Sequence, residues 1–192
     1  MAAERNTERE IQYAVGFLFN PGRRTVLLLQ RTHPQWQFGM WNGPGGKLEP
    51  GETPAAAMQR ALDDATASPG EVGYINAHGT GTVANDRVEA DAIRRVFGER
   101  ARTLAISSTK GLHGHAMGAS GAMELLATVL AFRSNLLPAN AGLAETLSQV
   151  DPTIHLDHIL LQNKPASPSL VLSSSFAFGG LNAVLAVRRF EP

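Results

Sequence analysis

Three side chains define the chemistry this chain is equipped for: His78, Lys110 and His115. His78 opens the run His78-Gly79-Thr80-Gly81-Thr82, and His115 closes Ser108-Thr109-Lys110-Gly111-Leu112-His113-Gly114-His115. Both imidazoles follow segments that read as strands. Both also sit among glycines, where little bulk obstructs a substrate and the backbone can turn sharply. Two imidazoles that stay near neutral can donate to a carbonyl oxygen on which negative charge develops, as when a thioester carbonyl becomes an enolate. The 192 residues contain no cysteine. That excludes disulfides, thiolate metal sites and a thiol nucleophile supplied by this sequence.

A strand and helix alternation must position these groups. The pattern predicts strand Val72–Ala77, helix Asp86–Phe97, strand Leu104–Ser107, helix Ala119–Ser134 and strands Leu170–Ser174 and Ala183–Arg189. Such alternation implies α/β layers. Upstream, Ile11–Phe19 and Thr25–Gln30 read as a hairpin around Asn20-Pro21-Gly22, and 31–51 reads as a pocket-shaping loop holding Trp36 and Trp41. Thr53-Pro54 starts an Ala-rich helix running to about Ala67, with Thr as N-cap and Pro at the first helical position. The segment Gly118–Leu137 is apolar on nearly all sides and calls for a sheet on each side. Residues 1–10 are polar and expected to fray.

Lys plus Arg and Asp plus Glu number 17 each, so no bulk charge draws the chain to nucleic acid or an acidic membrane surface. No run approaches the length of a membrane span, and the start lacks a signal-peptide core. A soluble, cytoplasmic protein is expected.

Gly45-Gly46-Lys47-Leu48-Glu49-Pro50-Gly51-Glu52, with seven residues between Glu52 and Arg60, resembles the opening of the Nudix signature. Trp41-Asn42-Gly43-Pro44 looks like the loop of its 8-oxo-nucleotide-hydrolysing members. That resemblance covers residues 11–60 and implies carboxylates converging on Mg²⁺ against a diphosphate. The box continues with Ala61, Leu62, Asp63, Asp64 and Ala65, so two expected metal-binding glutamates are alanines. The remnant acids Glu52 and Asp64 would hold Mg²⁺ weakly. Trp36, Trp41 and Asn42 read as packing over the hairpin or lying on a mobile loop, the alternative being purine stacking with an amide on the base edge.

From residue 61 to 192 the chain resembles the C-terminal half of a β-ketoacyl synthase. The residues carrying this are Tyr74-Ile75-Asn76-Ala77-His78-Gly79-Thr80-Gly81-Thr82, Asn85-Asp86 with Glu89, Ser108 to His115, and Ser175-Phe176-Ala177-Phe178-Gly179-Gly180-Leu181-Asn182. The resemblance implies a thiolase-like α/β half-fold. It implies that His78, Lys110 and His115 are catalytic, with Lys110 keeping the surroundings of His115 in register and pairing with Glu124. It further implies that Thr80 and Thr82 bind a phosphopantetheine arm and that Phe178 gates the acyl pocket, where Ala177 and Ser174 replace the usual glycine and asparagine. Asp86 and Glu89 read as helix N-terminal charges that also pin the threonine loop.

No resident cofactor or metal is expected. His113 with His115 makes a poor metal site, lacking the three or four ligands of a zinc centre, and His155 and His158 near Asp157 read as surface residues. The reading is a condensing-enzyme fragment that uses an acyl carrier protein or acyl thioester, lacks the acyl-accepting cysteine and tends to self-associate. The alternatives are a non-catalytic chimera or binding module, and a Nudix-type hydrolase with an incomplete box.

Overall fold

The computed structural model describes residues 52–144, 154, 156, 159–177 and 181–189, together with short strands before them. The chain divides into two compact units, Met1–Glu49 and Pro50–Pro192. In the first, β1 (Leu18–Asn20) pairs antiparallel with β2 (Thr25–Leu27), Phe19 opposite Val26. β3 (Leu29–Gln30) pairs with β4 (Trp41–Asn42). The remainder of residues 11–51, with Trp36 and the loop from 43 to 51, lies outside the described residues, as does the tail 1–10.

The second unit is built on a mixed four-stranded sheet, and apart from it β7 (Leu136–Leu137) pairs antiparallel with β8 (Lys164–Pro165). β5 (Val72–Asn76) lies parallel to both β6 (Ala105–Ser107) and β9 (Leu170–Ala177), while β10 (Leu181–Arg188) returns antiparallel to β9. Side-chain alternation sorts β9 and β10 into two faces. Leu170, Leu172, Phe176, Val184 and Ala186 join Met58, Leu62 and Ile93 on the face covered by α1 (Pro54–Asp64) and α2 (Val83–Phe97). Val171, Leu185 and Val187 join Tyr74, Ala131 and Phe132 on the face covered by α4 (Ser120–Ser134). The result is a three-layer α/β sandwich.

Local signals explain the helix ends. Thr53 caps α1, its hydroxyl accepting from Ala56 N at 3.2 Å, and Pro54 takes the first turn. α1 stops at Asp64, earlier than the expected Ala67, because Thr66 takes a φ of 50° and ends the helical run. α2 begins three residues before the expected Asp86, with Thr82 as its N-cap. One helical turn, α3 (Lys110–His113), was not foreseen in the sequence pattern.

α4 departs from expectation. Its inner side packs on β9, and Glu124, Thr128 and Ala131 are buried. Leu126 and Leu130, one turn apart on its other side, remain 60% and 51% exposed. Among the described residues the helix has a sheet on one side only. No helix among them is long and apolar enough to cross a membrane.

Candidate active site

Because β5, β6 and β9 are adjacent and parallel, their carboxyl ends open onto one crevice, where open α/β sheets hold ligands. β5 leads directly into His78, β6 into Lys110, and the end of β9 carries Ser175 and Phe176. His115 follows α3. Its ring meets that of His78 edge to face, centroids 5.3 Å apart, and the Phe176 ring lies 5.8 Å from His78. The turn after His78 requires glycine: Gly79 has a φ of 39°, and a Cβ there would stand 2.5 Å from Ser108 Cβ.

The neighbours of each ring fix its tautomer. Lys110 Nζ lies 3.1 Å from His78 Nδ1. An ammonium has only donors, so Nδ1 accepts and the ring proton resides on Nε2. Met117 N–H donates to His115 Nδ1 at 3.2 Å, so this Nδ1 also bears a lone pair and Ser120 Oγ, 2.7 Å away, is a second donor to it. Both rings therefore present Nε2–H. His78 is buried, and burial, with the Lys110 charge and His115 adding to it, lowers its pKa to about 4. It is neutral at physiological pH.

Beneath the histidines lies a buried ion pair. The Lys110 ammonium contacts the Glu124 carboxylate, and Ser175 Oγ donates to the other carboxylate oxygen at 3.0 Å. Their side chains are 5% and 0% exposed. The Lys110 ammonium thus orients His78, while its backbone carbonyl accepts from Gly114 N–H, beside His115, at 2.8 Å. The reason is strand order: β5 and β6 are neighbours, so residues just past their ends meet.

Asn76, given no role in the sequence reading, ties these parts together. Its amide donates to the Glu124 carbonyl at 3.1 Å and its oxygen accepts from Thr109 N and Oγ1, both at 3.4 Å. A polar residue closing an otherwise apolar strand was the available signal. Ser120 and Ser175 carried none.

Glu89 differs from its expected part. It is buried in α2 and accepts from the backbone of His78 and of Gly79, each at 2.8 Å. It therefore pins the start of the loop that carries the threonines, but from the second turn of α2 and not from its N-terminal turn. Burial raises its carboxyl to about 7 against the pull of those N–H groups. Asp86, in the first turn of α2, accepts from Asn85 at 3.0 Å. Thr80 and Thr82 hydroxyls lie 2.9 Å apart, and Thr82 also caps α2. Both line a cavity of about 650 Å³ together with Lys110 and His115. Phe178 lies outside the described residues, as do Asp157, His155 and His158.

The remnant acids do not assemble into a metal site. Arg60 donates to the Glu52 carboxylate at 2.7 Å, the Glu52 carbonyl accepts from Asn182, and Asp64 is exposed at the end of α1. Among the described residues no three His, Asp or Glu side chains are placed to hold a metal ion.

Residues 45–144 match the family model described as beta-ketoacyl synthase, C-terminal domain. Nodulation protein E of Rhizobium leguminosarum bv. trifolii is 45% identical over 139 residues, covering 72% of this chain and 33% of that protein. A 3-oxoacyl-[acyl-carrier-protein] synthase 2 of Coxiella burnetii is 42% identical over 132 residues, 69% of this chain and 31% of that protein. Among solved structures, a beta-ketoacyl synthase of Burkholderia phymatum superposes with a TM-score of 0.64 at 39% identity, over 71% of this chain and 32% of that one. A ketosynthase of Xenorhabdus doucetiae, in complex with its chain length factor, does so with the same score and identity over 74% and 35%. The chain spans about a third of the length of these relatives. Nothing in the comparisons supports a Nudix-like segment or a chimera. The paired histidines, the buried lysine and the family match agree: this chain belongs to the β-ketoacyl synthase family, through its C-terminal domain.

Proposed function

We propose that this domain supplies the carbonyl-binding half of a condensing site, with His78 and His115 as its two donors. Their Nε2–H groups grip the carbonyl oxygen of a malonyl thioester. As the carboxylate leaves as CO₂, the electron pair of the breaking C–C bond passes to that oxygen, and the two donors stabilise the enolate. Lys110 and Glu124 keep His78 oriented and unprotonated at Nδ1. Glu89 holds the backbone that carries it. The observation that carries this reading is the pair of rings, 5.3 Å apart, each with its Nδ1 occupied as an acceptor.

An acyl-enzyme needs a thiol from outside this sequence, which has no cysteine. Full condensation is therefore assigned to an assembly, and the step assigned to this chain alone is decarboxylation. The substrate arm is a phosphopantetheine thioester, carried by an acyl carrier protein and placed along Thr80 and Thr82, with Phe178 at the acyl end. No bound cofactor takes part. Glu52 is engaged by Arg60, which argues against Mg²⁺-dependent nucleotide hydrolysis as the role of residues 11–60. The test is CO₂ release from malonyl-N-acetylcysteamine by the folded chain, beside His78→Ala and His115→Ala. Release above both variants supports the reading; equal release from all three refutes it.

A further inference from the structure

We propose that Ser120 is a positioning residue for His115 and that, with Glu124 one turn further along, it makes α4 the common mount that sets the spacing of the two imidazoles. The catalytic consequence rests on the enolate reading above; the positioning itself does not. His115 is exposed and stands in an exposed stretch, where Gly114 turns with a φ of 76° and Met117 with one of 50°, and where Leu112 and Met117 are 78% and 69% exposed. Two groups donate to its Nδ1. The Met117 N–H belongs to that same stretch, so it orients the ring within the loop but does not tie it to the sheet. Ser120 Oγ, 2.7 Å away, belongs to the first turn of α4 and to a residue only 2% exposed. This hydroxyl does not cap the helix, because Ala119 holds the N-cap position. Serine is a weaker helix former than alanine, and a buried hydroxyl needs a partner. Its partner is His115.

The turn that carries Ser120 is fastened to two strands. The Glu124 carbonyl accepts from Asn76 of β5 at 3.1 Å, and the Glu124 carboxylate accepts from Ser175 of β9 at 3.0 Å and from Lys110. Lys110 in turn reaches His78 Nδ1 at 3.1 Å. Ser120 and Glu124 are both buried and, four residues apart, lie on one side of α4, about 6 Å from each other along the axis at 1.5 Å per residue. The ring centroids are 5.3 Å apart. One helical turn therefore serves both Nδ1 atoms, one through a hydroxyl and the other through an ammonium, and its length matches the separation of the rings.

Nuclear magnetic resonance on the full chain reads this arrangement without any activity. In the wild type the His115 ring protons should show a nuclear Overhauser contact to the Ser120 Cβ protons, and a missing contact overturns the proposal whatever the variants do. Ser120→Ala removes the hydroxyl and suits the helix, and circular dichroism checks its fold. In it the ¹⁵N resonance of His115 Nδ1 should move from the wild-type position and the contact between the His78 and His115 rings should weaken, while Ser120→Thr, which keeps a hydroxyl, should retain both. Unchanged His115 resonances and an unchanged ring contact in folded Ser120→Ala overturn the proposal. A merely structural role would alter stability and leave those resonances in place. In CO₂ release from malonyl-N-acetylcysteamine, Ser120→Ala should lower kcat about tenfold and change KM by less than about twofold, as a misplaced donor does. Shifted resonances with unchanged release would leave the positioning standing and count against the enolate reading alone.

Discussion

Lys110 Nζ stands between His78 Nδ1, 3.1 Å away, and the fully buried Glu124 carboxylate. One ammonium thus neutralises a buried acid and fixes the tautomer of a candidate catalytic ring. Removing either charge of such a pair strands the other and costs about 3–5 kcal/mol, whereas replacing both by apolar residues is often near neutral. Lys110→Met and Glu124→Leu should each lower the denaturation midpoint strongly, and the double variant should be more stable than either. A double variant as unstable as the sum of the two would show that the residues do not act as a pair.

The same environment sets the pH dependence of stability. With His78 at about 4 instead of 6.5, the unfolded chain takes a proton that the native ring refuses, so stability falls as pH drops through that window. With Glu89 at about 7 instead of 4.5, the native state holds a proton that the unfolded chain loses, so stability falls as pH rises through that window. The two slopes oppose between 4.5 and 6.5. His78→Ala should therefore lose stability as pH rises there, and Glu89→Gln as pH falls, each by at most about 1.4 kcal/mol per pH unit. Thermal melts across that range check both signs, and like-signed slopes in the two variants would contradict the assignment.

Ser174 Oγ is fully buried and has no hydrogen-bond partner among the described residues. A stranded hydroxyl is a net cost. Ser174→Ala should raise stability by about 1 kcal/mol, at the low end of the penalty for an unsatisfied buried polar group. Loss of stability in urea titration would mean that the hydroxyl does have a partner.

Leu126 and Leu130 form an exposed apolar pair on α4, and such a surface favours association. We expect the chain to self-associate in a concentration-dependent way in sedimentation experiments, and Leu126→Glu with Leu130→Glu to shift it towards monomer without lowering helix content. Unchanged sedimentation in that double variant would place the contact elsewhere.

Much of this fold was legible because its signals are local. Thr53 with Pro54 marked α1, and short apolar runs alternating with helical stretches marked β5, β6, β9 and β10. α3 escaped because four residues give no periodicity, and the start of α2 because Thr82 was assigned to substrate when its hydroxyl also caps the helix. α4 is apolar all round, which periodicity reads as two-sided burial; composition cannot say whether a second layer is present. The histidines and Lys110 were legible as motifs. Which histidine Lys110 serves depends on strand order, and Glu89 reaches His78 only through the packing of α2, so neither contact has a sequence signature.

Lys110 and Met117 occupy Nδ1 of His78 and of His115 as donors, which leaves the ring proton on Nε2. ¹⁵N chemical shifts of the imidazole nitrogens, assigned with His78→Ala and His115→Ala, read this directly. At neutral pH both rings should show a protonated Nε2 and an unprotonated Nδ1, with His78 keeping that form down to pH 5. A protonated Nδ1 on either ring, or a doubly protonated His78 at neutral pH, would contradict it.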